Sequence, residues 1–271
     1  DPRDPLLLQV LSATGRIGRG FPASSPTAVG DMASREARGV LHKYQGRALL
    51  IASGSCAINC RYCFRRHFPY GDEMAAAGQW RQALAHVRQD PSINELILSG
   101  GDPLALSTGK LEELGRGLAD IPHVTRLRIH SRLPVVLPER IDAAFTDWLA
   151  ALPLQKVVVL HANHTNEFDV SVDAACARLR EAGATLLNQS VLLRGVNDEA
   201  GALAALSERM FAAGVLPYYL HQLDRVQGAA HFEVDDASAL ALMEQLRGRL
   251  PGYLVPKLVR EVGGDPSKRP L

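Results

Sequence analysis

Six times between residues 47 and 249, a short apolar run is followed by a segment of helical periodicity, and this rhythm limits the fold more than any other feature. The runs fall at 47–52, 95–99, 126–130, 156–161, 185–192 and 215–221. The periodic segments fall at about 74–89, 108–120, 139–151, 170–182, 198–213 and 236–249. Short runs rich in Val, Ile and Leu suit strands, and recurrence at i, i+3 and i+4 suits helices. Pro138 fits a first helical turn, and Gly183 and Gly214 fit helix stops. Most strand starts are about thirty residues apart, the length of a strand, a helix and two loops. The serial order predicts an α/β fold with a parallel, barrel-like sheet. Six units rather than eight predict a partial TIM barrel, (β/α)6-like. At 271 residues, with 46% hydrophobic and 22% charged, the chain can bury such a core.

In parallel barrels the reactive groups gather at the carboxyl ends of the strands. The cysteine-rich stretch 55–66 follows the first run, and Ser99-Gly100-Gly101-Asp102-Pro103 follows the second. His130-Ser131-Arg132, His161-Ala162-Asn163-His164 and His221-Gln222-Leu223-Asp224 follow the third, fourth and sixth, while Asn188-Gln189 lies within the fifth. A further strand is predicted within 252–260, ending in a Gly-rich, Pro-flanked turn that carries Lys268. Residues 1–40 contain a short helix candidate at 6–11. With Gly15, Gly18, Gly20, Pro22 and Pro26 they read as an arm packed on a catalytic domain of residues 41–271.

Three of the four cysteines, Cys56, Cys60 and Cys63, are spaced C-x3-C-x2-C. Soft thiolates so close can converge on an iron–sulfur cluster or on zinc. On a cubane cluster three cysteines leave one iron open for chemistry. A closed zinc site with His67 as fourth ligand is the alternative, as are unligated buried thiols. Disulfides are disfavoured, because three clustered cysteines cannot all pair. Cys176, among alanines on a helix, reads as core. Net charge is +1, which offers no general attraction to nucleic acid or anionic membrane, and no apolar run reaches the ~18 residues of a bilayer span. Sparse cysteine grouped for metal points to a reducing cytoplasm. Lys268, if turned toward the barrel mouth and partly desolvated, would be a nucleophile for an aldehyde such as pyridoxal 5′-phosphate (PLP).

The aromatic Tyr62 just before the last cysteine makes the spacing C-x3-C-x-aromatic-C, which resembles the signature of radical S-adenosylmethionine (SAM) enzymes. That resemblance implies a [4Fe–4S] cluster on Cys56, Cys60 and Cys63, with SAM on the open iron, in a partial barrel. Gly100, Gly101 and Asp102 then resemble the motif that holds the SAM amino group. The stretches LHKYQGRALL, CRYCFRRHFPYG, LSGGDPL, RLRIHSRLPVVLP, LLNQSVLLRGVND and GYLVPKLVREVGGDPSKRP resemble the lysine 2,3-aminomutase family. The resemblance is to its compact branch, whose β-lysine product modifies elongation factor P.

It implies Lys268 as the PLP lysine, with Lys43, Tyr44 and Arg47 around the PLP phosphate. Arg65 would grip the substrate α-carboxylate, and Asp224 and Glu261 would meet its distal ammonium. Lys43 stands where longer members carry Arg, and Glu261 where they carry Asp. The implied reaction is a 1,2-amino shift from L-α-lysine to β-lysine, with an external electron donor. A separate ligase would attach the product to elongation factor P. The rivals are a mutase for another cationic amino acid and a non-catalytic zinc-stabilised α/β protein.

Overall fold

The computed structural model describes residues 1–11, 34–71, 73–78 and 80–271, and the arm's glycines and prolines at 15, 18, 20, 22 and 26 lie outside them. Ten strands form one sheet in chain order. They are β1 (Arg35–Ala37), β2 (Val40–Tyr44), β3 (Arg47–Ser53), β4 (Glu95–Gly100), β5 (Arg126–Ser131), β6 (Gln155–Leu160), β7 (Ala184–Val191), β8 (Leu216–His221), β9 (Lys257–Arg260) and β10 (Arg269–Pro270). Neighbours from β3 to β9 run parallel. The β1–β2–β3 and β9–β10 pairs are antiparallel. Among the described residues nothing pairs β1 with β10, so the sheet stays open, as an incomplete barrel should.

The helices are α1 (Pro5–Val10), α2 (Arg81–Gln89), α3 (Thr108–Ala119), α4 (Leu133–Val136), α5 (Ala143–Ala151), α6 (Val170–Glu181), α7 (Ala200–Ala212) and α8 (Asp236–Arg249). Two begin later than periodicity predicts. Before α2, buried Trp80 takes a left-handed conformation (φ 62°) and donates its indole N–H to the Lys110 carbonyl at 2.9 Å. The chain turns there, and the helix starts only at Arg81. Pro138 opens a single 3-10 turn, Pro138–Arg140, rather than α5. Asp142 then accepts the Phe145 N–H at 2.8 Å and caps α5 one turn further on.

Alternation along the strands separates core from site. On β5, Leu127, Ile129 and Ser131 are buried toward the helices, whereas Arg128 and His130 face a central cavity. On β4, Leu96 and Leu98 join Leu111, Leu114, Phe145 and Leu149 in the main core, whereas Ile97 and Ser99 line the cavity. The helices therefore bury one face of the sheet and leave the other for ligands.

Strands β1 and β2 were not foreseen, and they start the sheet at Arg35, ahead of the expected first strand. The signal for β2 lay in Val40–Tyr44 followed by Gln45-Gly46, the two-residue turn into β3, in which Gly46 has φ 79°. The hairpin places Lys43 and Tyr44 beside the cavity.

Candidate active site

A cavity of about 790 Å3 opens on this face, within the range of small-molecule sites. Cys56, Cys60, Cys63, Gly100, Gly101 and Asp102 line one part of it. Lys43, Tyr44, Arg47, Arg65, Asp224, Glu261 and Lys268 line it too, so the residues to which the resemblance gives a role share one chamber. The exception is His67, the zinc alternative, which is exposed and outside the lining.

The cysteine loop leaves β3 and is tied to the end of β4 by backbone. Gly101 N–H donates to the Ser53 carbonyl at 2.6 Å, and Asp102 N–H to the Ser55 carbonyl at 2.7 Å. The two glycines serve this approach. A Cβ on Gly100, whose φ is 128°, would lie 2.4 Å from the Ser53 oxygen, and one on Gly101 would lie 2.5 Å from the Ser55 oxygen.

Asp102 departs from expectation. Its side chain is buried, and both oxygens are already taken. One accepts from the Leu104 N–H at 3.0 Å and the Ser131 hydroxyl at 2.7 Å. The other accepts from the Arg132 N–H at 2.8 Å and the Leu133 N–H at 3.2 Å. With four donors in place it staples the ends of β4 and β5 together and has no lone pair left for an ammonium. Burial pushes its carboxyl up despite these bonds. Asp102→Ala is expected to lower the unfolding free energy by about 2–4 kcal/mol, read by urea denaturation, because four buried donors lose their acceptor.

Lys268 is not a solvated surface lysine, since its side chain is 21% exposed and turned inward. Its ammonium nitrogen lies 2.5 Å from one Glu261 oxygen, while Lys43 Nζ lies 3.0 Å from the other. The partly desolvated lysine is thus held in an ion pair, and the amine must leave Glu261 to act as a nucleophile. Burial would raise the Glu261 carboxyl, but Lys268 and Lys43 outweigh it and bring it down to about 2 from 4.5. A carboxyl depressed on folding stabilises above its unfolded pKa and loses that contribution as pH falls through the folded one. Glu261→Gln is therefore expected to flatten stability between about pH 4.5 and 2. At neutral pH it should cost about 1–3 kcal/mol, both effects being read by denaturation across pH.

Arg65 is buried, donates to Ser99 Oγ at 2.7 Å and stacks over Phe64 at 4.8 Å. Arg47 lies over the Tyr44 ring at 4.6 Å, and burial, followed by Glu261, raises the Tyr44 hydroxyl well above its ordinary range. Asp224 is half-buried on the loop after β8.

Residues not assigned from sequence complete the lining. His130, His161 and His221 are held neutral, mainly by burial, the last two down to about 3. His130 Nε2, His221 Nε2 and Arg132 Nε are buried without a hydrogen-bond partner among the described residues. Arg132 also donates to Cys60 Sγ at 2.8 Å. Burial opposes its charge, yet Tyr62, Cys60 and Glu167 outweigh this and keep it firmly protonated. Burial, then Asp102 and the other two thiols, pushes Cys56 up to about 12.

Among the described residues no three or more His, Cys, Asp or Glu side chains are gathered to hold a single ion. A cluster needs no such meeting point, because each thiolate binds its own iron. Three thiols beside a fixed cation suit an anionic iron–sulfur cluster. No helix among the described residues is long and apolar enough to cross a membrane.

Residues 45–120 match the family described as a 4Fe-4S single cluster domain. The chain is 52% identical to the L-lysine 2,3-aminomutase of Escherichia coli (strain K12), over 100% of this chain and 79% of that protein. It is 47% identical to that of Haemophilus influenzae, over 99% and 79%, and 34% identical to that of Clostridium subterminale, over 100% and 65%.

The chain belongs to the L-lysine 2,3-aminomutase family. This is a radical SAM family, with a 4Fe-4S cluster and SAM. Solved structures share the fold of this family member at low identity. A radical SAM methyltransferase from Sphaerobacter thermophilus has TM-score 0.52 and 18% identity over 82% of this chain and 68% of that one. The protein called anSMEcpe, solved with bound AdoMet, has TM-score 0.55 and 12% identity over 74% and 58%.

Proposed function

We propose that this aminomutase-family chain converts L-α-lysine to (R)-β-lysine, using the cluster, SAM and PLP. The observation that carries the reading is that Lys268, Arg65, Asp224 and Glu261 share one cavity with the three cysteines. When bound, the cluster and SAM supply a 5′-deoxyadenosyl radical, and PLP supplies the conjugated system that lets an amino group migrate.

Arg65, fixed by Ser99 and Phe64, offers a planar fork to the substrate α-carboxylate. Asp224 and Glu261 give the far end of the substrate two carboxylates, which favour an ammonium and repel an acidic side chain. Lys43 brings a point charge, and Arg47 a fork, to the side where a phosphate would lie. Lys268 is the residue that would hold the cofactor carbonyl, and leaving its ion pair would free Glu261 for the substrate. The apolar stretches of the lining, among them Leu41, Leu49, Phe64 and Ile97, favour exclusion of water from reactive carbon centres.

The test is anaerobic reconstitution with iron, sulfide, PLP and SAM, followed by reduction and NMR of added L-lysine. Appearance of β-lysine supports the reading, and unchanged lysine beside intact cofactors sinks it. A panel with ornithine and longer cationic analogues separates the rival substrate reading. The electron would come from an external donor in a reducing cytoplasm. Likeness to the compact branch supports delivery of the product to elongation factor P by a separate ligase.

A further inference from the structure

The polar network behind the cysteine loop has no place in the reaction described above, yet it is densely bonded, with only Nε of its central arginine left without a partner among the described residues. At its centre is Arg132, whose side chain is 9% exposed. Nη1 lies 2.8 Å from Cys60 Sγ and 2.8 Å from Tyr62 Oη. Nη2 lies 2.8 Å from Gln9 Oε1 and 3.3 Å from Glu167 Oε2. Gln9, wholly buried on the short helix α1, donates to Glu167 Oε1 at 2.9 Å and accepts from Asn163 Nδ2 at 2.9 Å. Asn163 also donates to Tyr62 Oη at 2.7 Å. The helix is clipped to the same loop by backbone. Arg61 N–H donates to the Gln9 carbonyl at 2.8 Å, and its guanidinium to the Leu8 carbonyl at 3.1 Å.

Each contact narrows where the guanidinium can point. Glu167 balances its charge, Gln9 fixes the rotation of the fork, and Tyr62, itself held by Asn163, takes a second bond from Nη1. What is left facing the cavity is an N–H aimed at a ligand sulfur. A hydrogen bond from a cation to a cluster thiolate stabilises the reduced cluster, which carries one more negative charge, over the oxidised one.

We propose that Arg132, aimed by Gln9 and Glu167, is a positioning residue that raises the reduction potential of the cluster through Cys60. This rests on the cluster reading of the site and goes beyond it, because it gives the N-terminal helix a role in electron entry. Gln9 touches no cysteine in the structure's hydrogen bonds and acts only through Arg132 and Tyr62.

The experiment is an EPR-monitored redox titration of the anaerobically reconstituted full chain, with iron counted in each sample. The wild type comes first. If it holds no [4Fe–4S] cluster, the family reading fails before this one is reached. In Arg132→Gln the one-electron equilibrium should shift at least tenfold toward the oxidised form, equivalent to 59 mV more negative. Gln9→Leu should shift in the same direction by a smaller factor with iron content retained, and Arg132→Lys should recover part of the loss. A wild-type midpoint in an iron-loaded Arg132→Gln overturns the proposal. If that variant loses its iron, a wild-type midpoint in Gln9→Leu overturns it instead. Loss of iron from both variants also overturns it, and leaves the network as a brace for the loop.

Discussion

Lys268→Ala is expected to reduce turnover of L-lysine by about 10⁴-fold or more while leaving iron content and cluster EPR unchanged. Lys268 sits on the turn between β9 and β10, away from the cysteine loop in sequence, and meets the cavity through its terminal amine. Truncation removes that amine without disturbing the backbone ties between the loop and β4. It also frees the Glu261 carboxylate, which keeps Lys43 as its partner at 3.0 Å. Absorbance of the PLP-treated protein after desalting reports cofactor retention independently of turnover. Retained activity in the variant would sink the assignment of Lys268.

Cys60→Ala should act at the other wall. Iron in the reconstituted protein is expected to fall from about four per chain to below one, and reductive cleavage of SAM should vanish. A replacement at Cys56 or Cys63 should do the same, since no fourth thiol stands by. Cys176 is wholly buried among the core residues of α6 and cannot substitute. Cys176→Ala is the matched control, expected to keep its iron. A Cys60→Ala protein that still cleaves SAM would remove the basis for the cluster at these three positions.

Much of this was legible in the chain, and the part that was not has a physical reason. The six β/α repeats announce themselves because each strand has to bury one face under a helix. Apolar periodicity records that requirement directly. The cysteines stood out because their spacing is specific, whereas Lys268 was singled out chiefly through the family resemblance. The bonds of Asp102 were not legible because a carboxylate beside two glycines looks the same in sequence whether it meets a ligand or four backbone and hydroxyl donors. Gln9 was invisible for a different reason. A single polar residue in the run Leu6-Leu7-Leu8-Gln9-Val10 gives no hint that it is the group buried against Arg132, 123 positions away. Arg132 itself stood at a strand end, where reactive groups gather, but only the folded chain brings it to Cys60.

The Glu261 bridge has a kinetic corollary. A lysine side chain of the protein and the far end of a lysine substrate are the same chemical group, and in the resting chain the protein's own copy already holds the carboxylate. Substrate therefore competes with an internal rival present at a fixed, very high effective concentration. Loading should follow a compulsory order, in which Lys268 is first captured elsewhere and the amino acid arrives second, so the cofactor-stripped protein should be almost blind to lysine in a calorimeter.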